Sequence, residues 1–179
     1  MEPRTHALKD GREIRIREAL PTDAAGLLQH VEFMCAETEF TVWAPGEFDL
    51  TEEQEAQLMQ RYLDNDSMVF MVAVIDGSIV GCLNFSSGGR KRLRHRGSFG
   101  VSVRKHEWGN GIGSILLDTL IEWARYGGLI KKINLQVLTH NERAISLYRR
   151  RGFVLEGTIT KDLCVDGVYY DSHCMGLEL

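Results

Sequence analysis

Gly109-Asn110-Gly111-Ile112-Gly113-Ser114 places three alternating glycines directly before an amphipathic segment. The first N–H groups of a helix have no partners within it, and the helix dipole is positive at that end, so an anion is stabilised there. Glycine lets a backbone approach phosphate oxygens closely. The chemistry this spacing suits is the binding of a pyrophosphate, and no good N-cap side chain stands before the helix to use its donors first. Taken alone, the turn says only that an anionic group sits at a helix start, and a loop that merely turns a corner has a similar composition. A dinucleotide fold fits poorly, because its third glycine falls elsewhere and no acid follows in Ile130-Lys131-Lys132-Ile133. A P-loop would need Gly-Lys-Ser/Thr, which is missing.

Other residues able to do chemistry are scattered. Tyr148 carries a hydroxyl on the inner face of a short helix beside Ala144, Ile145 and Leu147, a position that by itself reads as a core tyrosine. Asn141 has the type and place of that helix's N-cap. No Cys/His or Ser/His arrangement stands out as a nucleophile. Cys35, Cys82, Cys164 and Cys174 lack Cys-x-x-Cys spacing and read as reduced thiols, and the six histidines show no zinc spacing, so no metal is expected.

These groups need elements to hold them. Ile14 and Ile16 alternate along Arg12–Arg17, a first strand. Pro21-Thr22-Asp23 starts a helix with Ala24, Leu27, Leu28, Val31 and Met34 on one face. Thr51 and Gln54 have capping-box spacing ahead of a second helix whose apolar edge is Leu58, Met59 and Leu63. Met68 to Ile75 is a buried strand, Asp76-Gly77 a tight turn, Ile79 to Phe85 the partner strand and Gly97 to Val103 the third. Ile112, Ile115, Leu116, Thr119, Leu120 and Trp123 have helical spacing, and Gly127-Gly128 stops that helix. Ile133 to Leu138 is a strand, Asn141 to Arg151 a helix, and Phe153 to Leu177 a hairpin around Asp166-Gly167, which sets Cys164 opposite Tyr169. Hairpin-ordered strands followed by a βαβ-like crossover predict a mixed, mostly antiparallel sheet with helices on both faces, an α/β (α+β mixed) fold in one domain over residues 1–179.

Composition narrows the partners. A net charge of −4, with 44% apolar and 26% charged residues, is that of an ordinary globular chain not built to grip nucleic acid. The basic tract Arg90-Lys91-Arg92-Leu93-Arg94-His95-Arg96 lacks interleaved aromatics and reads as a solvated hairpin. No apolar run reaches the length of a membrane span and no signal peptide is read, so the expected setting is cytoplasmic, away from membranes.

Val101-Ser102-Val103 followed by Trp108-Gly109-Asn110-Gly111-Ile112-Gly113-Ser114 resembles motif A of the GNAT N-acetyltransferases, Arg/Gln-x-x-Gly-x-Gly/Ala, with Trp108 where Arg or Gln is usual. Asn141-x-x-Ala144-x-x-Leu147-Tyr148-x-x-x-Gly152-Phe153 resembles motif B. The two motifs come in the family's order and spacing, and the element order matches the GNAT fold from about Ile14 to the C-terminus, with a twisted sheet of about seven strands. Bacterial small-substrate members, such as amino-acid N-acetyltransferases, are the most similar.

The resemblance implies acetyl-CoA as acetyl donor and direct attack by an amine, without an acyl-enzyme. It implies that backbone groups of Val101, Ser102 and Val103 hold the pantetheine arm, that Gly109, Asn110, Gly111, Ile112, Gly113 and Ser114 hold the pyrophosphate, that Asn141 contacts CoA and that Tyr148 is the general acid. Some members carry a Glu five residues before the motif B Asn, where this chain has Gln136. Asn84, His95, Ser98 and Glu156 are open candidates for a base. Acids interleaved with aromatics from Glu37 to Asp49 suit an amine with an apolar body, so Glu39, Trp43, Asn84 and Tyr169 are expected to touch the acceptor. The expected acceptor is a small-molecule amine, with protein N-termini or a non-catalytic CoA sensor as rivals and a homodimer left open.

Overall fold

The computed structural model describes all 179 residues. Its strands are β1 (Arg4–Ala7), β2 (Glu13–Glu18), β3 (Met68–Ile75), β4 (Ser78–Ser87), β5 (Arg96–Val103), β6 (Lys132–Leu138), β7 (Val154–Val165) and β8 (Val168–Glu178). Its helices are α1 (Ala24–Glu37), α2 (Glu52–Leu63), α3 (Ile112–Gly127) and α4 (Glu142–Arg149). All eight strands form one sheet in the order β1-β2-β3-β4-β5-β6-β8-β7, one strand more than the seven expected. The extra one is β1, a four-residue edge strand too short and too polar to carry an alternation signal.

Neighbouring strands pair antiparallel except β5 and β6, which are parallel. Ile14, Ile16, Met71, Leu83, Phe85 and Ile133 meet Leu116, Leu120 and Ile145 in the larger core, which packs α3 and α4 on one face. On the other face Leu27 of α1 and Met59 of α2 close a smaller core over Val72 and Cys82. No helix is long and apolar enough to cross a membrane.

The β5/β6 pair creates the opening. β5 follows β4 along its whole length, from Ser87↔Gly97 to Gly81↔Val103. β6 follows β8 from Lys132 to Leu138. Between them only Arg96↔Lys132, Gly97↔Ile133 and Ser98↔Asn134 are paired, and beyond Ser98 the two strands part. Gly97 is the pivot of this short contact: a Cβ there would fall 2.3 Å from the Ser86 carbonyl oxygen and 2.5 Å from the Phe85 ring.

Two helix registers depart from the apolar reading. A 3₁₀ turn at Pro21–Asp23 precedes α1, whose buried residues are Ala24, Leu27, His30 and Cys35. The inner face of α2 is Glu55, Met59 and Tyr62, while Leu63 is exposed. Polar residues on these inner faces belong to the site described below, and apolar periodicity passes over them.

The α2 capping box forms as expected: Gln54 N–H donates to Thr51 Oγ1 at 3.2 Å and Thr51 N–H donates to Gln54 Oε1 at 2.8 Å. Thr51→Ala should therefore cost about 1 kcal/mol, read as a fall of a few degrees in thermal midpoint.

Candidate active site

The edge that β5 turns toward the gap can be worked out from its other edge. Arg104 N–H donates to the Val80 carbonyl on β4 at 2.9 Å. Antiparallel strands alternate their hydrogen-bonding direction, so the N–H and C=O groups of Val103 and Val101 point the other way, into the space β6 has left. The Trp108 indole confirms this direction, since its Nε1–H donates to the Val103 carbonyl at 2.7 Å. Trp108 thus makes a polar contact of its own where the motif's Arg or Gln would stand, and Arg143 lies over its ring at 5.1 Å. The remaining groups of Val101 and the N–H of Val103 form the edge an extended amide chain could pair with.

This edge leads into the glycine turn. Gly109 and Gly111 have φ of 95° and 93°, in the left-handed region that favours glycine. Gly111 is the N-cap of α3 and no side chain caps the helix, so the first α3 amides are free to meet a ligand, as the sequence implied. The loop is braced from behind. Glu107 is 3% exposed and accepts from Arg12 at 2.8 and 2.5 Å and from Asn110 Nδ2 at 3.0 Å. Arg12 and Asn110 hold its carboxyl below the usual range, so the brace stays charged at neutral pH.

α4 closes the α3 side of the gap. Asn141 Oδ1 caps the helix by accepting from Ala144 N–H at 3.2 Å, which leaves its amide NH₂ free. Tyr148 is buried, with the Phe99 and Phe153 rings 5.8 and 5.9 Å from its own. Burial pushes its phenol up to about 12, so it keeps its proton at neutral pH. It can donate to a leaving thiolate and cannot serve as a resting base.

On the opposite face Asn84 of β4 donates to Tyr62 Oη of α2 at 3.3 Å. His30 Nε2 lies 2.8 Å from Ser102 Oγ, which is itself 3.3 Å from Cys82 Sγ. No spacing along the chain signals this Ser–His contact, because residues 30 and 102 meet only when α1 packs across β4 and β5. Burial first, and then the Arg104 charge, lower His30 from 6.5 to about 4. A buried histidine held neutral contributes stability that is present above pH 6.5 and lost as the pH falls toward 4. The full loss is on the order of 3 kcal/mol. His30→Gln should flatten this acid slope in urea titrations at pH 7, 5.5 and 4.

Gln136 is exposed on β6 and, by alternation with buried Leu135 and Val137, lies on the α1/α2 face. Of the other candidate bases, His95 and Ser98 are exposed, and Glu156 is ion-paired to Lys132 at 2.6 Å, away from the gap.

A cavity of about 730 Å³ lies between the α1–α2 loop, Lys105, Trp108 and the β7–β8 hairpin. Glu39 and Trp43 both line it. The loop also reaches across to β8: Phe40 packs on His140 at 5.3 Å, His140 on Tyr170 at 4.8 Å, and Glu39 Oε1 lies 3.8 Å from His140 Nε2. Tyr170, not Tyr169, is therefore the hairpin tyrosine that joins this group. Tyr169 is 60% exposed with Lys161 over its ring, because strand alternation turns it to the outer side. His140 carries no local sequence signal, and only the assembled sheet brings it against Phe40 and Tyr170.

Comparison with known proteins follows the same lines. Residues 30–153 match the model of the acetyltransferase (GNAT) family. The L-amino acid N-acetyltransferase AaaT of Escherichia coli is 33% identical over 116 residues, covering 65% of this chain and 72% of that protein. A GNAT-family acetyltransferase structure from Streptococcus pneumoniae superposes with a TM-score of 0.90 at 34% identity, covering 93% and 99% of the two chains. The ribosomal-protein-alanine N-acetyltransferase of Brucella melitensis gives 0.80 at 26% identity, covering 92% and 99%.

Proposed function

Because the chain belongs to the GNAT family of acetyltransferases, we propose that it moves the acetyl group of acetyl-CoA to the primary amine of a small molecule, with a free amino acid as the acceptor class. The observation that carries the donor is the continuous surface from the unpaired β5 edge at Val101 and Val103 to the uncapped α3 start at Gly111. The pantetheine arm lies along that edge as an added strand. The pyrophosphate lies on the amides from Gly109 to Ser114, and the Asn141 amide contacts CoA. One outward N–H of β5 receives the oxyanion of the tetrahedral intermediate, as pre-set donors do. The amine attacks the thioester carbon, the C–S bond breaks, and Tyr148 protonates the departing sulfur.

The roof of Phe40, His140 and Tyr170 supports a small acceptor over a protein N-terminus, since it bridges from the α1–α2 loop to β8 where a chain would have to pass. Glu39 adds negative charge to the cavity wall, which favours a cationic acceptor, and Trp43 gives it an apolar side. A reading as a CoA sensor has Gln136 in its favour and Tyr148 against it. Four unpaired cysteines support a cytoplasmic setting, and residues 1–179 are taken as one catalytic domain.

The test is release of free thiol from acetyl-CoA over a panel of L-amino acids, polyamines, aminoglycosides and N-terminal peptides. Saturable turnover on one or more free amino acids, with peptides slower, is expected. Peptides turning over faster than every free amine would shift the reading to protein N-termini.

A further inference from the structure

Resting on the transferase reading above, we infer that Glu55 is the group that receives the acceptor's ammonium and takes the proton that must leave it before the nitrogen can attack. Glu55 is 3% exposed, and its Oε2 is sealed from solvent with no hydrogen-bond partner. An unpaired buried carboxylate is costly unless a cation or donor joins it, so one standing free is made for a partner that arrives. Burial alone raises its pKa above the ordinary 4.5, and no charged side chain offsets that rise.

Its position fits the acceptor. The loop that walls the cavity runs straight into α2, and Glu55 is on the first turns of that helix, facing inward with Met59 and Tyr62. Beneath this face lie Cys82 and Asn84 of β4. The Glu55 charge, after burial, helps hold the Cys82 thiol up at about 11. Cys82 and Asn84 pair across to Ser102 and Gly100 of β5, the stretch from which β6 has parted. Gly100 keeps this route clear: a Cβ there would meet only Asn84 Oδ1, at 3.0 Å. The titratable and charged groups around this space are Tyr62 on the same helix face, Cys82 on β4, and His30 of α1 with Arg104 and Glu37 near it.

The protons balance. The ammonium gives one proton to the Glu55 carboxylate, and the neutral amine adds to the thioester carbon to form the tetrahedral intermediate, from which the C–S bond then breaks. Tyr148 protonates the thiolate and recovers its proton from the nitrogen of the intermediate. Glu55 then releases its proton to solvent. A carboxylate raised by burial is suited to this role near neutral pH.

The test compares wild type with Glu55→Gln and Glu55→Asp. For Glu55→Gln, kcat/KM for the acceptor at pH 7 should fall at least tenfold, with the KM for acetyl-CoA within twofold of wild type. The acid limb of its pH profile should vanish, and the deficit should shrink at high pH, where the amine is already neutral. Its thermal midpoint should rise, because an unpaired buried charge is gone. Glu55→Asp should keep the acid limb at reduced kcat/KM, and it serves if Glu55→Gln does not fold. Unchanged kcat/KM in both variants, or an acid limb that survives Glu55→Gln and disappears in His30→Gln, overturns the assignment of Glu55 alone. Wild type with no turnover on any amine overturns the transferase reading on which it rests.

Discussion

Tyr148→Phe is expected to lower kcat by about 10³-fold, within the range that loss of a positioned general acid produces, while the affinity for CoA changes less than threefold. The variant removes one oxygen and keeps the ring that packs against Phe99 and Phe153, so the fold and the walls of the gap should persist. The phenol has one role open to it, because burial holds it at about 12 and it does not ionise at working pH. Without that hydroxyl the thiolate must leave unprotonated or wait for water. Free-thiol kinetics and calorimetric CoA binding on the same preparations separate the two quantities. An equal loss in both would make Tyr148 a structural residue.

Gly111→Ala should raise the KM for acetyl-CoA by about 10²-fold with a smaller change in kcat. Two effects combine. At a φ of 93° an alanine is strained, on the order of 1–2 kcal/mol, and the turn will relax away from its present shape. That shift turns the first α3 amides away from the phosphates, where each charge-assisted hydrogen bond contributes about 1.5–3 kcal/mol. Space within the chain is not the obstacle, since a Cβ at Gly111 would meet nothing within 4 Å. Gly127→Ala, at the far end of α3, is the control. Its added carbon would meet nothing within 4 Å, so the KM should move little.

The proposed donor half of the site is legible in the sequence because its parts are local. A glycine turn before a helix, an Asn cap and a Tyr two turns later are each fixed by spacing along one segment. The pairing of Cys164 with Tyr169 followed from Asp166-Gly167 for the same reason. The acceptor half was largely illegible because it is assembled from α1, α2, β4, β5 and β8. His30, Glu55 and Tyr62 sit on helix faces where apolar periodicity predicts core, and polar residues there simply weaken the signal. A signal did exist in α2, where Glu55, Met59 and Tyr62 at i, i+4 and i+7 share the buried stripe that Leu63 was expected to join. Tyr169 and Tyr170 could not be told apart without strand register. Trp108 looked like a lost contact, and the structure gives its indole the Val103 carbonyl instead.

The central claim is acetyl transfer, and the most direct measurement follows the acetyl group itself. The protein is mixed with acetyl-CoA labelled in the acetyl carbons and with free L-amino acids, and products are read by mass spectrometry alongside thiol release. The account predicts label on the amine nitrogen of an amino acid, one for each CoA freed, with none retained on the protein. Tight CoA binding with no label on any amine, or label held as an acetyl ester on Ser102, would contradict it.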